Sequence, residues 1–225
     1  MNTLKHVRLF RLAGLRLALA AVAGIVAACA CMPAGASSAQ APKNVIIIFA
    51  DGVAATQWDF GRHSSTVLRN QPFATTALFR DQGIGLLMTS PHGAYITDSA
   101  AAGSAMATGY KVENGTLSMT PDGKAARTVM QAAKEKGKRI GLVSTAAVYD
   151  ATPAAFSANL KSRREYQTLV DKYLALEADV LLGGGAAFFL PAGVAGGKRK
   201  DGKDIVAAFR GKGWQTVTNT AELKA

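Results

Sequence analysis

The chain has 225 residues, 49% of them hydrophobic and 18% charged. That is enough to bury a core in one domain, and aromatic and β-branched residues throughout exclude intrinsic disorder for most of it. Lys and Arg outnumber Asp and Glu by 26 to 15, but dispersed and without interleaved aromatics, so they read as a solvated basic surface and no nucleic-acid partner is expected.

The chain starts basic, with Lys5, Arg8, Arg11 and Arg16, and has no acid before Asp51. Leu17 to Cys31 is then an uncharged, Ala-rich run of fifteen residues. A bilayer span needs roughly 20 apolar residues. This is also the one long apolar run, so a polytopic membrane protein is excluded. Met32-Pro-Ala-Gly-Ala36 follows, with an A-x-A site. The order is that of a secretory signal over residues 1–36, which predicts export to the periplasm or the medium. A second reading takes Val26-Ala-Ala-Cys29 as a lipobox, with cleavage before Cys29 and a lipid anchor on it. Both cysteines, Cys29 and Cys31, lie in this leader. The body from Ser37 onward has none, which excludes a disulfide framework and thiol chemistry there. The leader holds four of the 26 basic residues, leaving 22 against 15 acids, a net charge of +7. Such a surface exerts a mild pull on anionic substrates.

Asn44-Val-Ile-Ile-Ile-Phe-Ala50 is a run apolar on both faces, as in a strand of a parallel sheet covered by helices. It ends at Asp51-Gly52. Ala125 to Lys136 reads as a helix, with basic residues in its last turn and Gly137 as a stop. Arg139 to Thr145 is a second strand. Arg163 to Glu177 has helical spacing, with Tyr166, Leu169, Val170, Tyr173, Leu174 and Leu176 apolar. Asp179 to Leu182 is a third strand, closed by Gly183-Gly-Gly185. Gly193 to Gly202 looks like a flexible surface loop carrying the densest basic group, Lys198-Arg-Lys200 with nearby Lys203 and Arg210. Asp204 to Arg210 is a further helix and Trp214 to Val217 a further strand. Helix and strand alternate, so the fold is α/β with a mainly parallel sheet.

Ligands in such sheets gather at the carboxyl ends of strands. Three places there carry polar groups. Asp51-Gly52 offers a hard metal ligand beside a glycine that allows close backbone approach, or a plain turn. Tyr95 to Gly109 brings Asp98-Ser99 to the start of a small-residue helix. There a serine sits in the positive field of the helix N-terminus, or else Asp98 or Ser99 is only its cap. Val143 to Ala155 places Asp150 and Thr152 as oxygen donors two residues apart, before a helix with Pro153 in its first turn. They suit a cation such as Mg²⁺, or a capping turn. The body has two histidines, His63 and His92, neither at a metal-ligand spacing. A serine nucleophile here would need a metal rather than a histidine base.

Together these places resemble the alkaline phosphatase family. The likeness runs from about Lys43 to the end. It rests on Asn44 to Gly52, Thr97-Asp-Ser-Ala-Ala-Ala102 with Ala107-Thr-Gly109, and Val143-Ser-Thr145 through Asp150-Ala-Thr-Pro153. Ser162-Arg163 and Leu181-Leu-Gly-Gly-Gly185 complete it. The resemblance implies a three-layer α/β sandwich with a mainly parallel central sheet, incomplete here, with residues 37–225 as the N-terminal part of the domain. It implies phosphate monoester hydrolysis assisted by Zn²⁺ and Mg²⁺. Ser99 resembles the nucleophile that becomes phosphoserine. Asp51 resembles the carboxylate shared between Mg²⁺ and one of two Zn²⁺ ions. Thr152 resembles a Mg²⁺ ligand, and Asp150 matches a position near Mg²⁺ that is Asp or His among members. Arg163 resembles the guanidinium that grips two phosphate oxygens, and Asp98 would position it. Members are often homodimers, so a homodimer is a further expectation.

The family's remaining ligands, further Asp and His residues for Zn²⁺ and a Glu for Mg²⁺, have no counterpart here. No histidine follows His92. Asn219 to Ala225 reads as the first turn of a helix. The expectation is therefore the N-terminal part of an exported phosphatase. The alternative is a non-catalytic remnant that at most binds Mg²⁺ or phosphate. A sulfatase or phosphonate hydrolase of the wider superfamily is disfavoured by Thr-Asp-Ser-Ala-Ala and Asp-Ala-Thr-Pro.

Overall fold

The structure, a computed structural model, describes residues 42–81 and 83–224. The signal-type segment 1–36 and Cys29 lie outside the described residues. The chain divides into two units at Ile48 and Phe49, and every element below belongs to the second.

Helix α1 spans Ala55–Arg69 and α2 spans Ala74–Asp81. Helix α3 is Ser99–Thr108, α4 Val129–Glu135, α5 Ala151–Ser157 and α6 Tyr166–Leu176. Strand β1 is Gly141–Ala147 and β2 is Val180–Gly184. A 3₁₀ turn at Ala186–Phe188, α7 (Ile205–Gly211) and α8 (Thr220–Lys224) follow. The two strands pair in parallel, Gly141 against Val180 and Val143 against Leu182, with α5 and α6 between them in sequence. The architecture is thus α/β with a small parallel sheet.

The core lies where α3, α5 and α6 meet β1. Ala100, Ala107, Ala154, Ala155, Leu169 and Val170 are all buried there. The alanines and one glycine set how closely α3 and α5 approach. A Cβ on Gly103 would lie 3.2 Å from the Ala155 Cβ, tighter than side chains normally pack. Buried polar groups in this layer are paired. Ser104 Oγ accepts from the Ser118 N–H at 2.7 Å, and Ser118 Oγ donates to the Ala155 carbonyl at 2.5 Å. The Tyr173 hydroxyl, pushed up in pKa by burial, donates to the Val148 carbonyl at 2.8 Å.

Several sequence expectations are corrected. Residues 44–50 form no strand among the described residues. Ile46 and Ile48 are 86% and 89% exposed. An apolar run supplies the propensity for a strand, but only a paired neighbour makes it one. The helix expected from Ala125 starts at Val129 instead. Thr128 caps it reciprocally with Gln131, and the Ala126 carbonyl is taken by the Asn159 side chain. Residues 214–217 form no strand; Trp214 is held by its indole N–H on the Ala178 carbonyl. Helices α1 and α2 have no counterpart among the sequence expectations.

The loop at 193–202 is tied down. Arg199 is fully buried and bridges back to Pro191. Nε donates to Asp201, Nη1 to the Gln167 and Phe188 carbonyls, and Nη2 to Asp171 and Asp201. A Lys-Arg-Lys triplet reads as solvated because nothing local shows that its middle member has five acceptors waiting.

Candidate functional site

Helix α3 begins at Ser99 because Asp98 is its cap. Asp98 has extended backbone (φ −109°), and its Oδ1 accepts from the Ala101 N–H at 2.8 Å. Ser99 is therefore the first helical residue, in the positive end of the helix field. Its hydroxyl donates to Asp51 Oδ1 at 3.2 Å. Helix α5 begins likewise after Asp150, whose Oδ1 accepts from the Ala151 N–H at 2.7 Å. That places Thr152 in the first turn of α5. Its hydroxyl donates to the other oxygen of Asp51, Oδ2, at 2.8 Å. One carboxylate thus joins the N-termini of two helices that lie 101 residues and 48 residues away in sequence. Asp51 can do so because the chain turns there, with Gly52 at φ +69° and Val53 N–H on the Ala50 carbonyl.

Arg163 occupies the other side of the same two helix starts. Nη1 donates to Asp98 Oδ2 at 3.3 Å and Nη2 to Asp150 Oδ1 at 2.8 Å. Its side chain is 28% exposed. Partial burial works against the guanidinium charge, but the hydrogen bonds it donates to Asp150 and Asp98 outweigh it and hold the pKa above its ordinary value. It is a fixed cation. Asp150, expected near Mg²⁺, also accepts from the arginine through its Oδ1.

All six residues singled out in the sequence therefore stand at the starts of α3 and α5, in two hydrogen-bonded groups: Asp51 with Ser99 and Thr152, and Arg163 with Asp98 and Asp150. His63 and His92 are part of neither. His63 lies 3.7 Å from Asp59 on α1, and the His92 N–H donates to the Val112 carbonyl. Sequence reasoning missed Asn114 and Gly115. The Asn114 side chain bonds the backbone on both sides of Thr97, and the Gly115 N–H donates to Asp98 Oδ2 at 3.0 Å. The available signal was an Asn-Gly turn, which marks a turn but not what it touches.

The donors facing one another are oxygens: both Asp51 carboxylate oxygens and the hydroxyls of Ser99 and Thr152. That set fits part of a Mg²⁺ shell and one carboxylate of a Zn²⁺ site. Among the described residues no group of three or more His, Cys, Asp or Glu converges, so a complete Zn²⁺ ligand set is not on these residues.

The alkaline phosphatase family pattern matches residues 42–225. Alkaline phosphatase 3 of Bacillus subtilis (strain 168) is 33% identical over 189 residues, covering 80% of this chain and 39% of that relative. The crystal structure of the Thermus thermophilus alkaline phosphatase superposes with a TM-score of 0.73 at 37% identity, covering 77% of this chain and 36% of that one. A variant of the TAB5 alkaline phosphatase, described with Mg bound, gives a TM-score of 0.60 at 27% identity, covering 73% of this chain and 46% of its own. The chain thus spans about two fifths of the length of the curated relatives it matches.

Proposed function

The chain belongs to the alkaline phosphatase family, and from that premise we propose that this protein hydrolyses phosphate monoesters through a covalent phosphate on Ser99. One observation carries the reading. The Ser99 hydroxyl stands at a helix N-terminus with Asp51 on one side, and through its neighbour Asp98 it is tied to a guanidinium on the other.

Ser99 Oγ gives up its proton to solvent and attacks phosphorus as the bond to the ester oxygen breaks, and the alcohol leaves with a proton from solvent. Water then attacks the phosphoserine, returning the proton to Ser99 Oγ and releasing inorganic phosphate. Arg163 contributes a planar pair of donors to the non-bridging oxygens, and the N–H groups of the first turn of α3 add positive field. Asp98 and Asp150 hold the guanidinium in place between them. Asp51 and Thr152 are the residues that would hold Mg²⁺, with Asp150 beside them, and Asp51 and Ser99 are those that would face Zn²⁺. Such ions stabilise developing negative charge on oxygen and lower the pKa of an oxygen bound to them.

The wider assignment follows the same reading. Residues 37–225 form the N-terminal part of a three-layer α/β domain with a mainly parallel sheet. The basic start and apolar run of residues 1–36 make an export signal, with a lipid anchor at Cys29 as the alternative, so the enzyme acts in the periplasm or outside the cell, as a homodimer. Among the described residues no helix is long and apolar enough to cross a membrane.

The absence of a complete Zn²⁺ ligand set among the described residues favours a second reading, in which these 225 residues by themselves bind Mg²⁺ or phosphate without turnover. One experiment separates the two. The protein is mixed with p-nitrophenyl phosphate, Zn²⁺ and Mg²⁺ and quenched in acid, and the Ser99 peptide is examined by mass spectrometry. Phosphate on Ser99, with turnover reduced on the order of 10³-fold or more in Ser99→Ala, is the expected result. Saturable Mg²⁺ or phosphate binding without phosphoserine would support the second reading and remove the first.

A further inference from the structure

We infer that Asn114, in a turn outside the catalytic cluster, is a positioning residue that sets the nucleophile against the arginine; the inference rests on the reading of Ser99 and Arg163 above. Residues Glu113 to Thr116 form a β-turn, closed by the Thr116 N–H on the Glu113 carbonyl at 3.2 Å. Gly115 stands third in it at φ +79°, where a residue with a Cβ is strained.

Asn114 Nδ2 donates to the Ile96 carbonyl at 2.9 Å, and Asn114 Oδ1 accepts from the Asp98 N–H at 2.9 Å. The two partners differ, one an acceptor and one a donor, so they fix which way the amide is turned. Asn114 acts on residues 96–98 as a short neighbouring strand would. Gly115 completes the brace. Its N–H donates to Asp98 Oδ2 at 3.0 Å, and its carbonyl accepts from the Arg163 N–H at 2.7 Å. Asp98 Oδ2 also receives Arg163 Nη1. The turn thus holds the residue before Ser99 by both backbone and side chain, and holds Arg163 by its backbone. Nucleophile and guanidinium come from segments 64 positions apart in sequence, and this one turn touches both.

Asn114 is exposed, as is Ile96. Groups released by removing its side chain would therefore be taken up by water. A net hydrogen bond of this kind, exposed to water, is a small part of a domain's stability, so the fold survives its loss. What changes is the freedom of residues 96–99. Nothing else in the turn can replace the amide, because the Gly115 groups already serve Asp98 and Arg163.

The test is hydrogen exchange on the full gene product, without added metal or substrate, comparing wild type with Asn114→Ala and Asn114→Asp. The aspartate keeps the acceptor for the Asp98 N–H but loses the donor to Ile96. In Asn114→Ala, exchange over residues 96–101 should rise about tenfold while α6, residues 166–176, is unchanged. Asn114→Asp should lie between it and wild type. The rate of phosphoserine formation should fall in the same order, and Asn114→Gln, too long for the turn, should not restore it. Exchange unchanged at 96–101, or raised equally in α6, overturns the inference. So does a loss of rate that does not follow the exchange. A wild-type protein that forms no phosphoserine overturns the role together with the reading it rests on, while the exchange result still decides whether the brace exists.

Discussion

Two regions of the molecule hold an arginine between two aspartates, and they hold it for different ends. At the starts of α3 and α5, Arg163 meets Asp98 and Asp150, with its side chain 28% exposed. At the junction of α6, the 3₁₀ turn and the 190–203 loop, Arg199 meets Asp171 and Asp201 with none of its side chain exposed. Arg199 spends every donor: five hydrogen bonds to two carboxylates and two backbone carbonyls. Arg163 spends one donor from each terminal nitrogen, and among the described residues no acceptor meets its Nε. A guanidinium has five N–H groups in a rigid fork. Where all are used, the group is a rivet. Where several remain and solvent reaches them, it is available to an anion with two oxygens. The pair of carboxylates is common to both regions, so charge pairing alone does not distinguish a binding arginine from a structural one; the donors left over do.

Removing each arginine tests that distinction from opposite sides. Arg163→Ala should reduce kcat/KM for a phosphate monoester by about 10²- to 10³-fold, the usual loss when a fixed donor to developing charge is deleted. Its thermal midpoint should change little, because Asp98 keeps its bonds to the Ala101 and Gly115 N–H groups. Arg199→Ala should do the reverse. It removes the donors that Arg199 gives to the Gln167 and Phe188 carbonyls and opens a cavity, for a cost of about 3 kcal/mol in denaturant unfolding. Phosphate affinity should stay near wild type. If Arg199→Ala weakened phosphate binding as much as Arg163→Ala, the two regions would be one functional network and the contrast would fail.

The two regions also differ in how far the sequence reveals them. Asp98-Ser99 and Asp150-Ala-Thr152 are visible because cap residues ahead of small-residue helices are a local signal, and both caps form where the pattern puts them. Helix α6 is legible for the same reason, since its apolar spacing matches the residues it buries, Leu169, Val170 and Tyr173; β1 and β2 form where the apolar runs lie, though Val143 and Val180 stay exposed. Arg199 is opaque because its burial depends on acceptors from residues 167, 171 and 188, which no local pattern links to it. Residues 44–50 show the opposite limit. Their composition is that of a strand, but pairing is a property of a neighbour and cannot be read from the run itself. The Asn114 brace falls between these cases, since Asn-Gly announces the turn and only the fold says that it meets Asp98.

The smallest effect concerns acid. The Arg199 side chain, by its hydrogen bonds, holds the Asp201 carboxyl down from the ordinary 3.8 to about 2. Folding therefore disfavours the proton on Asp201. A group of that kind stabilises the folded state fully above its unfolded pKa, and the contribution is lost as pH falls through the folded value. The window lies between about pH 4 and pH 2. Other carboxyls, such as Asp122 beside Lys124 and Glu177 beside Lys212, are also held down, so acid alone weakens the protein for several reasons. The difference between wild type and Asp201→Asn isolates one of them. At neutral pH the variant should melt lower, because asparagine keeps an acceptor for Arg199 but loses the charge. The two melting curves, followed from pH 6 to pH 2, should then converge through that window as wild type loses the same charge by protonation. Parallel curves would show that Asp201 contributes only shape to the Arg199 pocket, and the closed region would be held by hydrogen bonds alone.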